Sequence, residues 1–170
     1  MYKTLDPKQT NVLHLRRHGW FSPDYELTDE TNSYGKLSYN FISKRRATAT
    51  AATGTWTFEF EGAFSCNILI TDESGIVIGK VTRDWFSRKR SLTMQTGFQA
   101  EFYRPVFFWL WNHIWDSQGY GKIMRIKTSP LIIKTTIYLD QSMTPPALIP
   151  LLIFLGAHLA ILRRRRRGGS

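Results

Sequence analysis

Residues 147–162 read Ala-Leu-Ile-Pro-Leu-Leu-Ile-Phe-Leu-Gly-Ala-His-Leu-Ala-Ile-Leu, and this stretch decides the fold of the chain. It is apolar on every side, and His158 is its only ionisable residue. As a helix it spans roughly 24 Å, between the length of a buried core helix and that of a membrane span of about 20 residues. A helix that is apolar all round has to be enclosed by protein or by lipid.

The charges after this stretch favour enclosure by protein. The run Arg163–Arg167 follows directly, and such a run keeps its side of a membrane span cytoplasmic, which would place the preceding domain outside. Residues Met1–Pro7 contain no apolar signal-peptide core that would export that domain. The arginines instead suit the end of a buried helix, where they stay in water and complement the helix dipole. A C-terminal membrane anchor is the alternative.

Composition indicates one globular domain with an anionic partner. The chain has 170 residues and a net charge of +10, of which five charges belong to Arg163–Arg167. A basic balance of this size favours a membrane surface or nucleic acid as the partner. Cys66 is the only cysteine, so no internal disulfide forms, and its strand-like surroundings predict a buried free thiol in a reducing compartment.

Three stretches of the chain share one pattern. Each has an aspartate, then Asn or Gly three residues later, then Gly-Lys and an aliphatic residue. The aspartates Asp29, Asp72 and Asp116 are 43 and 44 residues apart, and the basic clusters Lys44–Arg46 and Arg88–Arg90 are also 44 residues apart. A unit of about 44 residues holds roughly four strands at the spacing usual in all-β folds.

The turns and the alternation of side chains complete the fold prediction. Each aspartate is expected to cap a type I turn in which Asn32, Gly75 or Gly119 takes positive φ. Trp56, Phe58 and Phe60 are expected to point to one face of their strand. Three units then give roughly twelve antiparallel strands, which lose their edges by closing into a barrel. More than eight strands leave a lumen, and the apolar helix is the right size to fill it.

The sequence therefore predicts an all-β protein with one helix. It is a closed antiparallel barrel of roughly twelve strands in three four-stranded repeats, threaded by the C-terminal hydrophobic helix. Residues 1–24 form an N-terminal segment, residues 25–162 form the barrel with its central helix at 147–162, and residues 163–170 form a basic tail.

Three features resemble the tubby C-terminal-like superfamily, which includes tubby domains, plant LURP-one-related proteins and phospholipid scramblases. They are the segment Asp72–Lys80, the strand that begins Gly54-Thr-Trp-Thr-Phe58, and the apolar terminal helix with its arginines. The resemblance covers roughly Tyr25–Arg163 and is greatest to small bacterial members. It implies a twelve-stranded barrel threaded by a hydrophobic helix. Tubby domains bind phosphoinositides through basic groups, but none of those groups is matched here, and the cysteine-rich palmitoylation cluster of scramblases is missing.

The sequence does not point to an enzyme. Its four histidines make no metal-spaced pair with Cys66 or with an acid; they are His14, His18, His113 and His158. Glycines at 119 and 121 lack the helix that a phosphate-binding loop needs. We therefore expect no catalytic residue, metal or cofactor. His158 is expected to be a core or helix-end residue with a local hydrogen bond, and a buried titrating group is the alternative.

Basic clusters are the stronger functional signal. Trp85 and Phe86 lie between Arg83 and the second cluster, and bases beside exposed rings suit a lipid headgroup surface. If the rings point inward, the same sequence is an ordinary solvated hairpin tip. The run Phe107–Trp111 is expected to be a strand of the barrel wall. The candidate anionic-lipid-binding residues are Lys44, Arg45, Arg46, Arg83, Arg88, Lys89, Arg90, Arg163, Arg164, Arg165, Arg166 and Arg167.

The predicted function is that of a non-catalytic barrel module that binds anionic phospholipid or membrane surfaces. It is expected in the cytoplasm, peripheral to the inner face of the membrane. One alternative is a single-pass membrane protein anchored by its C-terminal helix. The other is a basic protein that binds nucleic acid non-specifically, although no nucleic-acid reader motif is present. No small-molecule substrate is indicated.

Overall fold

Twelve antiparallel strands close into a barrel around one long helix in the computed structural model of the chain. The structure describes residues 1–18, 24–40, 45–84, 86, 89–105, 112–128, 134–140 and 145–165. Each strand pairs with its neighbours in sequence, and β1 pairs with β12 to close the barrel. The predicted barrel of twelve strands with a single C-terminal helix is therefore confirmed.

The elements in chain order are β1 (Val12–Arg17), β2 (Tyr25–Thr28), β3 (Ser33–Tyr39), β4 (Arg46–Ala51), β5 (Gly54–Phe60), β6 (Ile68–Thr71), β7 (Val77–Arg83), β8 (Arg90–Met94), β9 (Gln99–Tyr103), β10 (Asn112–Ser117), β11 (Gly121–Thr128), β12 (Lys134–Leu139), a 3-10 turn (Pro146–Leu148) and α1 (Ile149–Arg165).

The N-terminal segment belongs to the barrel. Strand β1 pairs with β2 on one side and with β12 on the other, with Leu13 and Leu15 buried in the core. The prediction that the barrel begins at Tyr25 was therefore wrong. From Tyr25 onward the chain supplies eleven strands, and β1 supplies the twelfth. Without β1, strands β2 and β12 would be left with unpaired edges.

Helix α1 fills the lumen, as its all-round apolar sequence predicts. The side chains of Leu152, Ile153, Phe154 and Leu155 are fully buried. The window Pro146–Arg163 is long and apolar enough to cross a bilayer, with a hydropathy of 1.8, and 78% of it is buried inside the barrel. The core helix of a soluble protein meets the same length and hydropathy criterion.

The helix is shifted slightly from the predicted range 147–162. It begins at Ile149, because Pro146 starts a 3-10 turn, and it continues to Arg165. Arginine is a good helix former and stabilises the negative end of the helix dipole, which accounts for the extension into the basic run.

Two glycines let the helix and the barrel wall approach closely. A Cβ atom at Gly35 would meet the carbonyl oxygen of Thr50 and the ring of Phe154. A Cβ atom at Gly156 would meet the side chains of Trp115 and Ile126. The glycine on the wall and the glycine on the helix therefore fix the depth at which α1 sits in the lumen.

The barrel has two different ends. Because all neighbours are antiparallel, the odd-numbered strands finish at one end and the even-numbered strands begin there. Phe154 lies against Gly35 near the start of β3, and His158 hydrogen-bonds Tyr39 at the end of β3, so α1 runs in the same direction as β3. We call the end where α1 finishes the exit rim; it comprises the adjacent strand ends and the described residues between them. The opposite end is the turn end.

Short turns at the turn end follow the predicted aspartates only in part. Asp29 and Asp72 accept backbone N–H bonds and cap their turns, whereas Asp116 lies within β10 and accepts a bond from the Tyr103 hydroxyl. Positive φ occurs at Gly75 as predicted. In the other two turns it occurs at Glu30 and Gly121 instead of Asn32 and Gly119. Register shifts in β2 and β10 accompany both displacements.

Cys66 is half-buried in the loop between β5 and β6, so the prediction of a buried strand thiol was wrong. The backbone N–H of Glu61 bonds the carbonyl of Asn67 at 3.1 Å and closes this loop, which delays the start of β6 to Ile68. The aromatic run 107–111 lies outside the described residues.

Acid should remove a stabilising contribution of Asp29. Its carboxylate accepts bonds from the Tyr34 hydroxyl at 2.6 Å and from the backbone N–H of Asn32 at 2.7 Å. These bonds, with that from Tyr34 the strongest, hold its pKa well below the ordinary value. Since the folded-state pKa is depressed, the contribution is complete above the unfolded pKa, about 3.9, and is lost as pH falls through the folded pKa.

We therefore expect Asp29→Ala to lower the free energy of unfolding by about 1–3 kcal/mol at neutral pH. The difference from the parent protein should shrink below about pH 4. Urea unfolding of both proteins at neutral and acidic pH measures it. A difference that stays constant with pH would show that the charge of Asp29 does not contribute.

Candidate anionic-lipid-binding rim

The structure brings the described members of the two basic clusters to one end of the barrel. Arg45 and Arg46 lie at the start of β4, Arg83 ends β7, and Lys89 and Arg90 lie at the start of β8. All five positions belong to the exit rim. Their strands are separated only by β5 and β6, so the two clusters occupy one side of the rim.

The arginines in the last turn of α1 reach the same end. Arg163 is partly buried in the last turns of α1, and the helix continues through Arg165 at the exit rim. The side chains of Arg164 and Arg165, and all of Lys44, Arg88, Arg166 and Arg167, lie outside what the structure describes. The positive charges nevertheless come from distant parts of the sequence to one end of the molecule, opposite the turn end.

Arg83 and Arg90 are direct cross-strand partners in the hairpin of β7 and β8. Like charges placed directly opposite each other repel. Arg83 lies two residues after the buried Val81 on β7, and Arg90 lies two residues before the buried Leu92 on β8. Side chains two residues apart on a strand point to the same face, so both arginines lie on the inner side of the rim. This register places two cationic side chains opposite each other on the inner side of the exit rim.

Arg45 keeps its charge while helping to hold a loop. Its guanidinium donates to the carbonyl oxygen of Gly62 at 2.6 Å and lies 4.6 Å from the ring centroid of Phe60. Both partners are neutral, so the positive charge of Arg45 is not cancelled by a carboxylate among the described residues.

Two of the candidate cations are paired with carboxylates on the outer wall. Lys89 donates to Glu101 at 2.7 Å, and this hydrogen bond is the main cause that raises the pKa of Lys89. Arg46 lies 3.9 Å from Glu59, its register partner on β5. Ion pairing weakens what Lys89 and Arg46 offer to a phosphate.

Sequence reasoning missed one exposed ring at this rim and left another undecided. Phe64 is 100% exposed in the loop between β5 and β6, and Phe86 is 99% exposed between β7 and β8. The ring of Phe86 therefore points to solvent, whereas Trp85 lies outside the described residues. The signal for Phe64 was a lone aromatic residue within the turn-forming run Gly62–Asn67.

A polar network stiffens the loop that carries Phe64. Lys80 donates to Glu61 at 2.6 Å, and the side-chain amide of Asn67 donates to the same carboxylate at 2.9 Å. These bonds, with that from Lys80 the larger, lower the pKa of Glu61, so the carboxylate stays ionised at neutral pH. The base of the loop is thus tied to strand β7.

His158 is a core residue, as expected. It is fully buried, its Nδ1 lies 2.9 Å from the hydroxyl oxygen of Tyr39, and its ring stacks on Phe58 with centroids 5.7 Å apart. This hydrogen bond joins the helix to the barrel wall. His113 is likewise buried and stacks on Phe102 with centroids 5.1 Å apart.

Two cavities lined by described residues are no better suited to a headgroup. The larger, of about 630 Å³, lies at the turn end between Phe98, Tyr120 and Leu148, and no charged residue lines it among the described residues. A smaller one of about 310 Å³ is bordered by Lys122, Arg125 and Asp140 on the wall of the barrel. No group of three or more histidine, cysteine, aspartate or glutamate side chains is placed to hold a metal within the described part of the chain.

Fold and site together define a class of protein: a closed twelve-stranded β-barrel that encloses a hydrophobic helix and carries a basic rim. Comparison with protein-family models, curated proteins and solved structures finds no match to the chain.

Proposed function

We propose that this chain is a non-catalytic barrel of the tubby C-terminal-like kind that binds anionic phospholipid surfaces through its exit rim. One observation carries the proposal: basic groups at positions 45–46, 83, 89–90 and 163–165 meet at one end of the barrel. The resemblance in sequence to a superfamily with lipid-binding members supports it, together with the barrel and its central helix.

The rim suits a broad anionic surface better than a single small anion. Its cations are spread over strands β4, β7 and β8 and the end of α1, with no enclosing pocket among the described residues. Each basic residue near an anionic leaflet contributes about 1 kcal/mol. Binding is therefore electrostatic, is shared among several headgroups, and weakens as salt shortens the screening length.

Charge distribution orients the molecule. The turn end carries mixed charge, with Glu30, Glu73 and Lys122 among its exposed groups. An anionic surface attracts the basic rim more strongly than the turn end, so the barrel axis stands across the surface with the end of α1 facing it.

Two separate observations favour surface binding over a helix anchor and over nucleic-acid binding. An enclosed helix presents no apolar face to acyl chains, which argues against a helix anchor. Nucleic acid offers the same phosphate chemistry as a lipid headgroup, and the two exposed rings at the rim favour lipid. Competition by duplex DNA against anionic vesicles separates these two partners.

Removal of charge at the end of the helix should weaken binding. The variant Arg164→Gln/Arg165→Gln/Arg166→Gln/Arg167→Gln removes four positive charges from the basic run at the C-terminal end of α1. With about 1 kcal/mol per base and partial screening, we expect the affinity for vesicles containing phosphatidylserine to fall at least about tenfold. Vesicle flotation at low salt measures it.

A matched variant removes four charges elsewhere: Lys3→Gln/Lys8→Gln/Lys122→Gln/Arg125→Gln. These side chains are exposed on the wall, near the turn end or in the N-terminal segment. Binding should change much less than in the rim variant, although the net charge is the same. Equal losses in both variants would show that net charge alone decides binding and would contradict the assignment to the rim.

A further inference from the structure

Phe64 and Phe86 are the most exposed aromatic residues that the structure describes. Both rings are almost completely exposed, at 100% and 99%, whereas Ile76 at the turn end is 58% exposed. Both lie at the exit rim, in the loops that follow β5 and β7. Strands β6 and β7 are neighbours, so the two loops are adjacent around the rim.

The loop of Phe64 holds its ring away from the barrel. Residues 62–65 form a turn in which the N–H of Ser65 bonds the carbonyl of Gly62 at 3.3 Å. The Ser65 hydroxyl then accepts from the N–H of Asn67 at 3.0 Å. Arg45 also donates to the carbonyl of Gly62, so the turn that carries the ring is fixed to the neighbouring hairpin.

The loop of Phe86 is closed in a similar way. The backbone N–H of Asp84 bonds the carbonyl of Lys89 at 3.1 Å and ties the two ends of the loop together. The Asp84 carboxylate accepts from the backbone N–H of Phe86 at 2.9 Å. This local turn places the phenyl ring at the outer part of the loop rather than against the wall.

Cations flank both rings. Arg45 bonds the turn of Phe64, and Arg83 and Lys89 bracket the loop of Phe86 in sequence. Aromatic rings between basic side chains match the boundary of an anionic bilayer, where phosphates lie above the acyl chains. A basic partner protein is disfavoured by the same charges, and a second copy of this chain would bring like-charged rims together.

We infer that Phe64 and Phe86 form a two-point anchor that inserts into the headgroup–acyl boundary of an anionic bilayer. This inference rests on the proposed function and adds an apolar contribution to its electrostatic one. Because burial of a ring is not screened by ions, the anchor supplies the part of the affinity that persists at physiological salt. The hydrogen-bonded turn that carries Phe64 keeps the entropic cost of inserting that ring low.

Probes at the two positions test insertion directly. In a Cys66→Ser background, Phe64→Cys, Phe86→Cys and Ile76→Cys are each labelled with the environment-sensitive dye nitrobenzoxadiazole. With phosphatidylserine-containing vesicles, the probes at 64 and 86 should shift to the blue, brighten and be quenched by lipids that carry spin labels in their acyl chains. The probe at 76, at the opposite end, should not respond.

Truncation of the rings gives the second measurement. The variant Phe64→Ala/Phe86→Ala should bind phosphatidylserine vesicles about tenfold more weakly than the parent at physiological salt. Partial burial of two phenyl rings in the bilayer supplies enough free energy for a change in affinity of this size. The loss should persist as salt rises, unlike the loss caused by removal of charge. Ile76→Ala is the matched control and should bind as the parent does. Both rings are exposed, so the melting temperature should not change.

The outcomes separate this inference from the proposed function. If the parent floats with anionic vesicles but the probes at 64 and 86 stay unchanged, the anchor is wrong while electrostatic binding stands. If the parent does not float at low salt, the proposed function fails and the anchor fails with it. If the probes at 64 and 86 shift on concentration without vesicles, the rings bind a second copy of this chain, which also overturns the inference.

Discussion

Leu152→Asp is expected to leave the protein unfolded at neutral pH and room temperature. Leu152 is completely buried inside the barrel and is not reached by water. An aspartate there would be a buried charge, or a buried acid without a partner, and would also leave a gap in the packing. The cost of several kcal/mol approaches the whole stability of an ordinary domain, about 5–15 kcal/mol.

Two controls show that this effect comes from burial. Leu152→Met conserves volume and polarity and should cost less than about 1.5 kcal/mol. Ile76→Asp places the same acid on an exposed turn and should change stability by about 0.5 kcal/mol or less. Circular dichroism and urea unfolding measure all three variants. A cooperatively folded Leu152→Asp protein of near-parent stability would contradict the position of α1 in the core.

Removal of the helix should have an effect of similar size. A fragment of residues 1–146 keeps every strand but loses the side chains that fill the lumen. Its inner wall would face an empty or hydrated cavity, lined by residues such as Leu37, Phe58 and Ile70 that are fully buried in the complete chain. Apolar surface of this kind is stable only when covered, so we expect no cooperative melting transition and a tendency to aggregate.

A fragment of residues 1–165 is the matched control, because it keeps all of α1 and loses only the last five residues. It should melt cooperatively near the temperature of the complete chain. Differential scanning calorimetry and gel filtration compare the two fragments. If residues 1–146 form a monomer that melts cooperatively, the strands make a stable fold by themselves and the helix is not their core.

The barrel was predictable because its two main signals are properties of single segments. Alternation of Trp56 and Phe58 with polar neighbours marks a half-buried strand, and both rings do point inward. The helix is apolar on all faces, which requires complete enclosure, and twelve strands provide a lumen of suitable size. Strand β1 was harder to place, because its pairing with β12 joins the two ends of the sequence.

The rim was predictable only as a set of cations. That Arg83 lies opposite Arg90 follows from the short loop between β7 and β8. Arg46 meets Glu59, and Lys89 meets Glu101. Both pairs depend on the register between strands and on the direction of the side chains. Sequence spacing does not determine these pairs, so it does not show which positive charges are already balanced by a carboxylate.

Phe64 shows a different limit. Aromatic residues in a β-protein are most often core residues, and the same chain contains several that are buried, such as Phe58 and Phe102. Only the hydrogen bonds of the turn at 62–65 show that this ring is held in solvent. Its exposure is a property of the closed loop and of the neighbouring hairpin, neither of which a local sequence pattern describes.

Vesicle flotation of the complete chain tests the central claim most directly. The protein is mixed with vesicles of phosphatidylcholine alone, or with phosphatidylserine added, at low and at physiological salt. We expect flotation only with the anionic vesicles, stronger at low salt and reduced but still present at physiological salt. Equal flotation with neutral vesicles, or none with anionic vesicles at low salt, would contradict an anionic lipid surface as the partner of the exit rim.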